Sequence, residues 1–159
     1  MALRSLWHGT GADKEFVRRF TTWFEQEATT RWWWLALDAP TPVGMVNLKL
    51  FERMPAPDVP RARWGYLCNL FVAPEHRGHG VGGALVADVM AAAREAGLVR
   101  VVLNPSEKSR PLYHRHGFTS DHGLLTRHLD RCLDVASGLT PSGAVDGGRR
   151  PVSRDSRPR

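Results

Sequence analysis

The sequence predicts an α+β chain: one amphipathic helix, three strands in succession, then a switch to alternating helix and strand. Three observations carry that prediction. Aromatic residues recur at helical spacing near the N-terminus. Three strand-like stretches rich in apolar residues follow. A glycine-rich turn after Pro74 then opens a second helix. After the first helix the order reads β-β-β-α-β-α-β, which fits α+β and leaves an α/β arrangement open.

Each element has a local reason. Residues 13–28 form a helix because Phe16, Phe20, Trp23 and Phe24 share one face, with Asp13 or Thr10 as cap. RWWWLALD (31–38) and VGMVNLKLF (43–51) are strands joined through the turn residues APTP, so they form a hairpin. Alternation puts Val46, Leu48 and Leu50 on one face of the second strand, and Asn47 and Lys49 on the other. MPAPDVP (54–60) is a proline-rich loop, and RWGYLCNLFV (63–72) is apolar enough for a central strand. Residues 81–96 are a helix with a buried stripe of Val81, Ala84, Leu85, Val89, Ala92 and Ala96, ended by Gly97. A short strand (98–103), a short helix (107–116) and a last strand or hairpin (117–129) complete the domain.

Composition removes several classes. The 159 residues are 42% hydrophobic, enough for one core without disulfides. Two cysteines, Cys68 and Cys132, make neither a disulfide scaffold nor a zinc site, and Cys68 reads as a small core residue. A reducing, cytoplasmic setting is expected. No apolar run is long enough for a membrane span, and the opening MALRSLWHGT lacks the apolar stretch of a signal peptide. The formal charge is +6. Arg149, Arg150, Arg154, Arg157 and Arg159 against Asp146 and Asp155 place +3 of that in the last 20 residues. That segment is rich in Pro, Gly, Ser and Arg and reads as a disordered, solvated tail rather than a nucleic-acid arm.

The chemically informative stretch is Val72 to Gly83. Gly78, Gly80, Gly82 and Gly83 sit at a strand-to-helix junction beside Arg77. Glycines let the backbone turn and approach a ligand closely. The first turn of the helix offers unpaired N–H groups and the positive end of its dipole. Such a site suits phosphate oxygens, with Arg77 as a bidentate donor at the rim. Gly78-x-Gly80-x-x-Gly83 also matches the dinucleotide fingerprint. However, the next strand ends at Leu103-Asn104-Pro105 with no acid for a ribose, and three strands precede the loop. The Walker pattern is absent.

Val72-x-Pro74-x-x-Arg77-Gly78-x-Gly80-Val81-Gly82 resembles the acetyl-coenzyme A loop of the GNAT superfamily (Gcn5-related N-acetyltransferases). Pro111-Leu112-Tyr113-x-x-x-Gly117-Phe118 resembles that family's second signature, and the resemblance spans roughly residues 43–129. It implies a mixed, mostly antiparallel central sheet flanked by helices over residues 1–133, with residues 134–159 as the tail. It implies acetyl-CoA as acyl donor. The amides of Arg77, Gly78, His79, Gly80, Val81, Gly82 and Gly83 would hold the pyrophosphate. Leu70, Phe71 and Val72 would pair with the pantetheine arm, which carries amides that an open sheet edge can match. The same N–H groups would stabilise charge developing on the carbonyl oxygen.

Tyr113 matches the family tyrosine that protonates the departing thiolate, a role for which a phenol is suited; otherwise it is a packing residue. Asn104, Ser106 and Ser109 follow the next strand, where a polar contact to the cofactor is expected, and which of them makes it stays open. Family members often carry a Glu on the strand before the loop. Here that strand reads Tyr66-Leu67-Cys68-Asn69-Leu70-Phe71. Glu52 on the neighbouring strand end is the candidate base, against its reading as a solvated strand-end acid; a water held by Asn69 is the other option. The family also has a strand and helix before the 13–28 helix. Either Ala2–Trp7 forms a remnant strand or that element is missing.

The resemblance therefore implies transfer of an acetyl group to a primary amine, of a small molecule, by direct attack. A protein N-terminus or lysine is a further acceptor type. The competing class is a non-catalytic CoA-binding or interaction domain, and then a dinucleotide-binding protein. Trp23, Trp32, Trp33, Trp34 and Trp64 read chiefly as packing, with some available to wall an acceptor pocket. The pairs His76/His79 and His114/His116 lack a third ligand, so no metal is expected. An exposed edge strand would allow a homodimer.

Overall fold

The structure is a computed structural model that describes residues 1–55, 57 and 62–120. The last expected strand or hairpin beyond residue 120, Cys132 and the basic tail lie outside the described residues.

Four strands form one open sheet in the order β1 (Arg31–Asp38), β2 (Thr41–Glu52), β3 (Arg63–Val72), β4 (Val101–Val102). The first three are antiparallel neighbours, and β4 lies parallel to β3. The sheet is thus mixed and mostly antiparallel, as expected. The hairpin forms around a cis Ala39–Pro40 bond.

Alternation decides the two faces. Trp32, Trp34, Val46, Leu48 and Leu67 belong to the core with α3 (Val81–Glu95). Leu48, Val46, Val86 and Val89 are all 0% exposed; each such side chain contributes about 1.5–3 kcal/mol on burial. The observed stripe of α3 is Leu85, Val86, Val89 and Ala93. Ala84 is exposed and Ala92 and Ala96 only half-buried, correcting the expected stripe by about one position. A helix drifts against any fixed repeat, so alanine-rich positions are poor markers of its inner face. Gly97, at φ +66°, ends the turn.

The opposite face carries Arg31, Trp33, Lys49, Asn47 and Cys68. Two helices lie over it. The first, α1 (Ala2–His8), buries Leu3 against Met45 and Phe71, and its Trp7 stacks on Phe71 at 5.4 Å. Ala2–Trp7 is therefore helical, not a remnant strand. The second, α2 (Lys14–Glu27), is capped by Asp13, whose carboxylate accepts from the Phe16 N–H at 2.6 Å. No residue of α2 is fully buried, although its aromatic face points to the sheet.

The strand expected at 98–103 shrinks to two residues. Leu98 N–H closes the α3 C-terminus on Ala93 O at 2.9 Å, and Val99 N–H bonds Arg63 O at 2.9 Å. After a 3-10 turn (Glu107–Ser109), α4 (Arg110–Arg115) packs Tyr113 into the main core, with Phe118 edge-on at 5.7 Å.

Candidate active site

Two irregularities of the sheet build the site. The first is a bulge. Asn47 pairs with Cys68 and Met45 with Phe71, so Asn69 and Leu70 together face Val46 alone. Asn69 takes φ +57°, the one non-glycine residue with positive φ among the described residues. The second is a splay. The parallel pairing of β3 with β4 consists of Gly65–Val101 and Tyr66–Val102. From Leu67 to Val72, β3 has no partner on that side among the described residues. An extended edge of backbone N–H and C=O groups results.

This edge leads directly into the glycine loop. Gly78 and Gly80 stand at φ +82° and +80°, and a Cβ at either would meet nothing within 4 Å. Glycine is needed there for conformation, and the space beside it is open. Gly80 caps α3 without a side-chain bond, and the first amide of the helix to close on it is Ala84 N–H, to Gly80 O. The N–H groups of Val81, Gly82 and Gly83 are thus left for an outside acceptor. Arg77 donates through Nε to Val72 O at 2.9 Å, with its guanidinium 5.7 Å from the centre of the Phe71 ring. His79 is exposed.

The other expected residues divide. Leu70, Phe71 and Val72 form the open edge. Asn104 is exposed after β4, and Ser106 and Ser109 bond each other at 3.0 Å across the following 3-10 turn. Tyr113 is buried in the cluster that holds Val46 and Leu67. Burial pushes its phenol up, with the nearby Cys68 adding to the shift, so it stays protonated at neutral pH. Glu52 is not brought to this opening. It pairs with Arg63 at the far end of β2, five residues past Asn47, or roughly 16 Å along an extended strand.

Sequence reasoning missed the polar network on the α2 face. Arg31 Nη1 donates to Asn47 Oδ1 at 2.5 Å and Cys68 Sγ at 3.1 Å, and the thiol reaches Asn47 Oδ1 at 2.9 Å. Glu27 accepts from Lys49 Nζ at 2.8 Å and from Arg31 Nε at 2.9 Å. The Lys49 hydrogen bond, then Arg31, holds the Glu27 carboxyl below the ordinary glutamate range against the cost of burial. Burial pushes the Cys68 thiol up, which keeps it neutral and unreactive. The alternating Asn47 and Lys49 were the only sequence sign of this layer.

Between α1, α2 and this face lies a cavity of about 800 Å³. Phe16, Phe20, Trp23, Phe24 and Trp33 wall it, and it reaches Asn69 at the bulge. The open edge and the cavity therefore meet at one point of β3. Trp23 and Trp33 line the cavity, while Trp32 and Trp34 pack on the α3 side and Trp64 stacks on Phe51 at 4.4 Å. Among the described residues no cluster of His, Cys, Asp or Glu could hold a metal, and no helix is long and apolar enough to cross a membrane.

A sheet split beside an amide-lined glycine turn offers one continuous site for an amide-bearing strand-like arm and a diphosphate. The sequence profile described as the acetyltransferase (GNAT) family matches residues 2–118, so the chain belongs to that family, whose donor is acetyl-CoA. Over 54 residues, 34% of this chain, it is 41% identical to glucosamine 6-phosphate N-acetyltransferase of Trypanosoma brucei brucei, and the match spans 37% of that protein. A solved acetyltransferase of Trypanosoma brucei superposes with TM-score 0.62 at 25% identity, over 80% of this chain and 90% of that one. An acetyltransferase of Clostridium acetobutylicum, solved with acetyl-CoA, superposes with TM-score 0.59 at 22% identity, over 74% and 75%.

Proposed function

We propose that the chain is an N-acetyltransferase that moves the acetyl group of acetyl-CoA to the primary amine of a small molecule. The observation that carries this reading is the meeting of the unpaired β3 edge, the glycine turn and the aromatic cavity at Asn69–Leu70. The donor fits on three counts: free amides at the start of α3, open space beside Gly78 and Gly80, and an unpaired strand edge. Bound there, acetyl-CoA supplies a carbonyl activated toward amines.

The chain's own residues do the rest. Amides from Gly78 to Gly83 hold the pyrophosphate, the expected Arg77 N–H being taken by Pro74 O at 3.2 Å, and Leu70 to Val72 hold the amide-bearing arm as an added strand. The bulge turns backbone N–H groups toward the position where the carbonyl oxygen gains charge. The amine enters from the cavity side. Its nitrogen bonds the carbonyl carbon, the C–S bond breaks, and Tyr113 gives a proton to the sulfur and recovers one from solvent. The amine's surplus proton leaves to water, since no Asp or Glu is among the described lining residues of the cavity. Holding the two reactants in line supplies much of the rate.

The test is direct. Acetyl-CoA should raise the Tm and NADH should not, because only a ligand of the folded state stabilises it. Thiol release should then follow addition of a suitable amine. A Tm shift with NADH and none with acetyl-CoA would return the dinucleotide alternative. Binding of acetyl-CoA without turnover on any amine would favour the non-catalytic one, for which the missing acid on β3 speaks.

A further inference from the structure

We infer that the acceptor is an α-amino acid with an aromatic side chain, and that Arg4 binds its carboxylate. The inference deepens the acetyl-transfer reading and rests on it.

Three observations converge. First, the cavity wall is aromatic, with Phe16, Phe20, Trp23 and Trp33 on its α2 and β1 sides. α2 buries none of its residues fully, so this face offers surface for a ring to pack on. A volume of about 800 Å³ holds a side chain of tryptophan size together with water.

Second, the charge in the cavity has one sign. Arg4 and Arg19 line it, and no carboxylate side chain does among the described residues. A polyamine or another cationic acceptor finds no counter-charge there, whereas an anion does.

Third, the anion site lies next to the reaction centre. Arg4 Nη1 donates to Asn69 Oδ1 at 3.3 Å, and its guanidinium lies 4.9 Å from the centre of the Trp7 ring. Arg4 forms no ion pair among the described residues, whereas Arg19 pairs with Glu15 at 3.6 Å. The bulge at Asn69 is where the acetyl carbonyl comes to rest in the proposed reaction. An anion on Arg4 is therefore held close to the attacking amine. In an α-amino acid the carboxylate and the amine share one carbon, which satisfies that spacing. In glucosamine 6-phosphate the phosphate stands several bonds further from the amine, and a hydroxyl-rich ring gains little from aromatic walls. Attack forms the amide N–C bond and breaks the thioester C–S bond, with protons moving as above, so the product is an N-acetyl amino acid and free CoA.

The experiment compares L-tryptophan and L-phenylalanine with tryptamine and phenethylamine, which lack only the carboxylate. Glucosamine 6-phosphate and spermidine complete the panel, and free thiol is the readout. Full-length protein is used, and Tm with and without acetyl-CoA is recorded for each variant. kcat/KM should favour the amino acids over their decarboxylated partners by roughly 10- to 100-fold, the range of a charge-assisted hydrogen-bond pair. Arg4→Gln should collapse that ratio toward 1, and Arg4→Lys should restore part of it.

Preference for glucosamine 6-phosphate, spermidine or the decarboxylated amines overturns the inference. So does a ratio that Arg4→Gln leaves intact. If Arg4→Gln does not fold, the wild-type ratio alone decides. Acetyl-CoA raising the Tm while no amino acid is acetylated sinks the inference and spares the donor site. Failure of acetyl-CoA to raise the Tm sinks both.

Discussion

The two faces of the sheet are covered by helices with similar sequence patterns and opposite fates. α3 lays Leu85, Val86 and Val89 against Val46 and Leu48, and all five are at most 4% exposed. α2 has the bulkier apolar face, yet none of its residues is fully buried. Its C-terminal end is tied down by charge, through Glu27 to Lys49 and Arg31. Further along, ring contacts such as Trp23 to Trp33 at 5.8 Å join it to the strands. The branched residues of α3 interlock with β2, whereas the rings of α2 wall a cavity between helix and sheet.

Mutations on the two faces should therefore separate stability from turnover. The largest expected effect is at Tyr113 on α4: Tyr113→Phe should lower kcat about 100-fold or more, the usual worth of a positioned proton donor, with acetyl-CoA affinity little changed. An unchanged kcat would reduce Tyr113 to a packing residue of the closed face. Next, Leu48→Ala should cost about 2–5 kcal/mol in urea unfolding, because Leu48 is 0% exposed and would leave a void. Phe20→Ala, on the open face, should cost under about 1 kcal/mol and instead raise the KM for the acceptor. Equal losses from both would erase the distinction between core and cavity.

Gly80→Ala should cost about 1 kcal/mol for its φ of +80° and weaken acetyl-CoA binding at the same time. A stability loss without a binding loss would detach the loop from the donor. The smallest effect concerns the charged tie. The Glu27 carboxyl is held low in the folded chain, so its contribution to stability is complete above the ordinary glutamate range. It fades as pH falls through that range to the lowered folded value. Glu27→Gln should be less stable than the parent at neutral pH by about 1 kcal/mol in urea unfolding, and the gap should close in acid. A gap that persists in acid would mean that α2 is held by its aromatic contacts alone.

Most of the fold was legible in the sequence. The hairpin, the third strand, the Asp13 cap and the glycine turn all rest on residues whose local preference agrees with their final state. The N-terminal helix was not legible, since ALRSLWH is short and its burial depends on Met45 and Phe71, far along the chain. The fourth strand was overestimated, because Val99 and Arg100 bond β3 as a turn does, ahead of the paired residues. Among the functional candidates, the loop glycines and Tyr113 were visible as motifs. Glu52 lies at the end of β2, as read from the sequence, yet away from the bulge, because position along a strand matters as much as membership of it.

The sequence by itself determined where backbone amides would be left free, because glycines at a strand-to-helix junction impose that locally. It also determined which strand residues share a face, because the period of a strand is two. Only the tertiary structure decided that β3 would bulge at Asn69, part from β4 after Tyr66, and meet an aromatic cavity carrying Arg4 at that spot. Those features depend on register and on distances between segments up to 65 residues apart, as Arg4 and Asn69 are. No short-range preference encodes them.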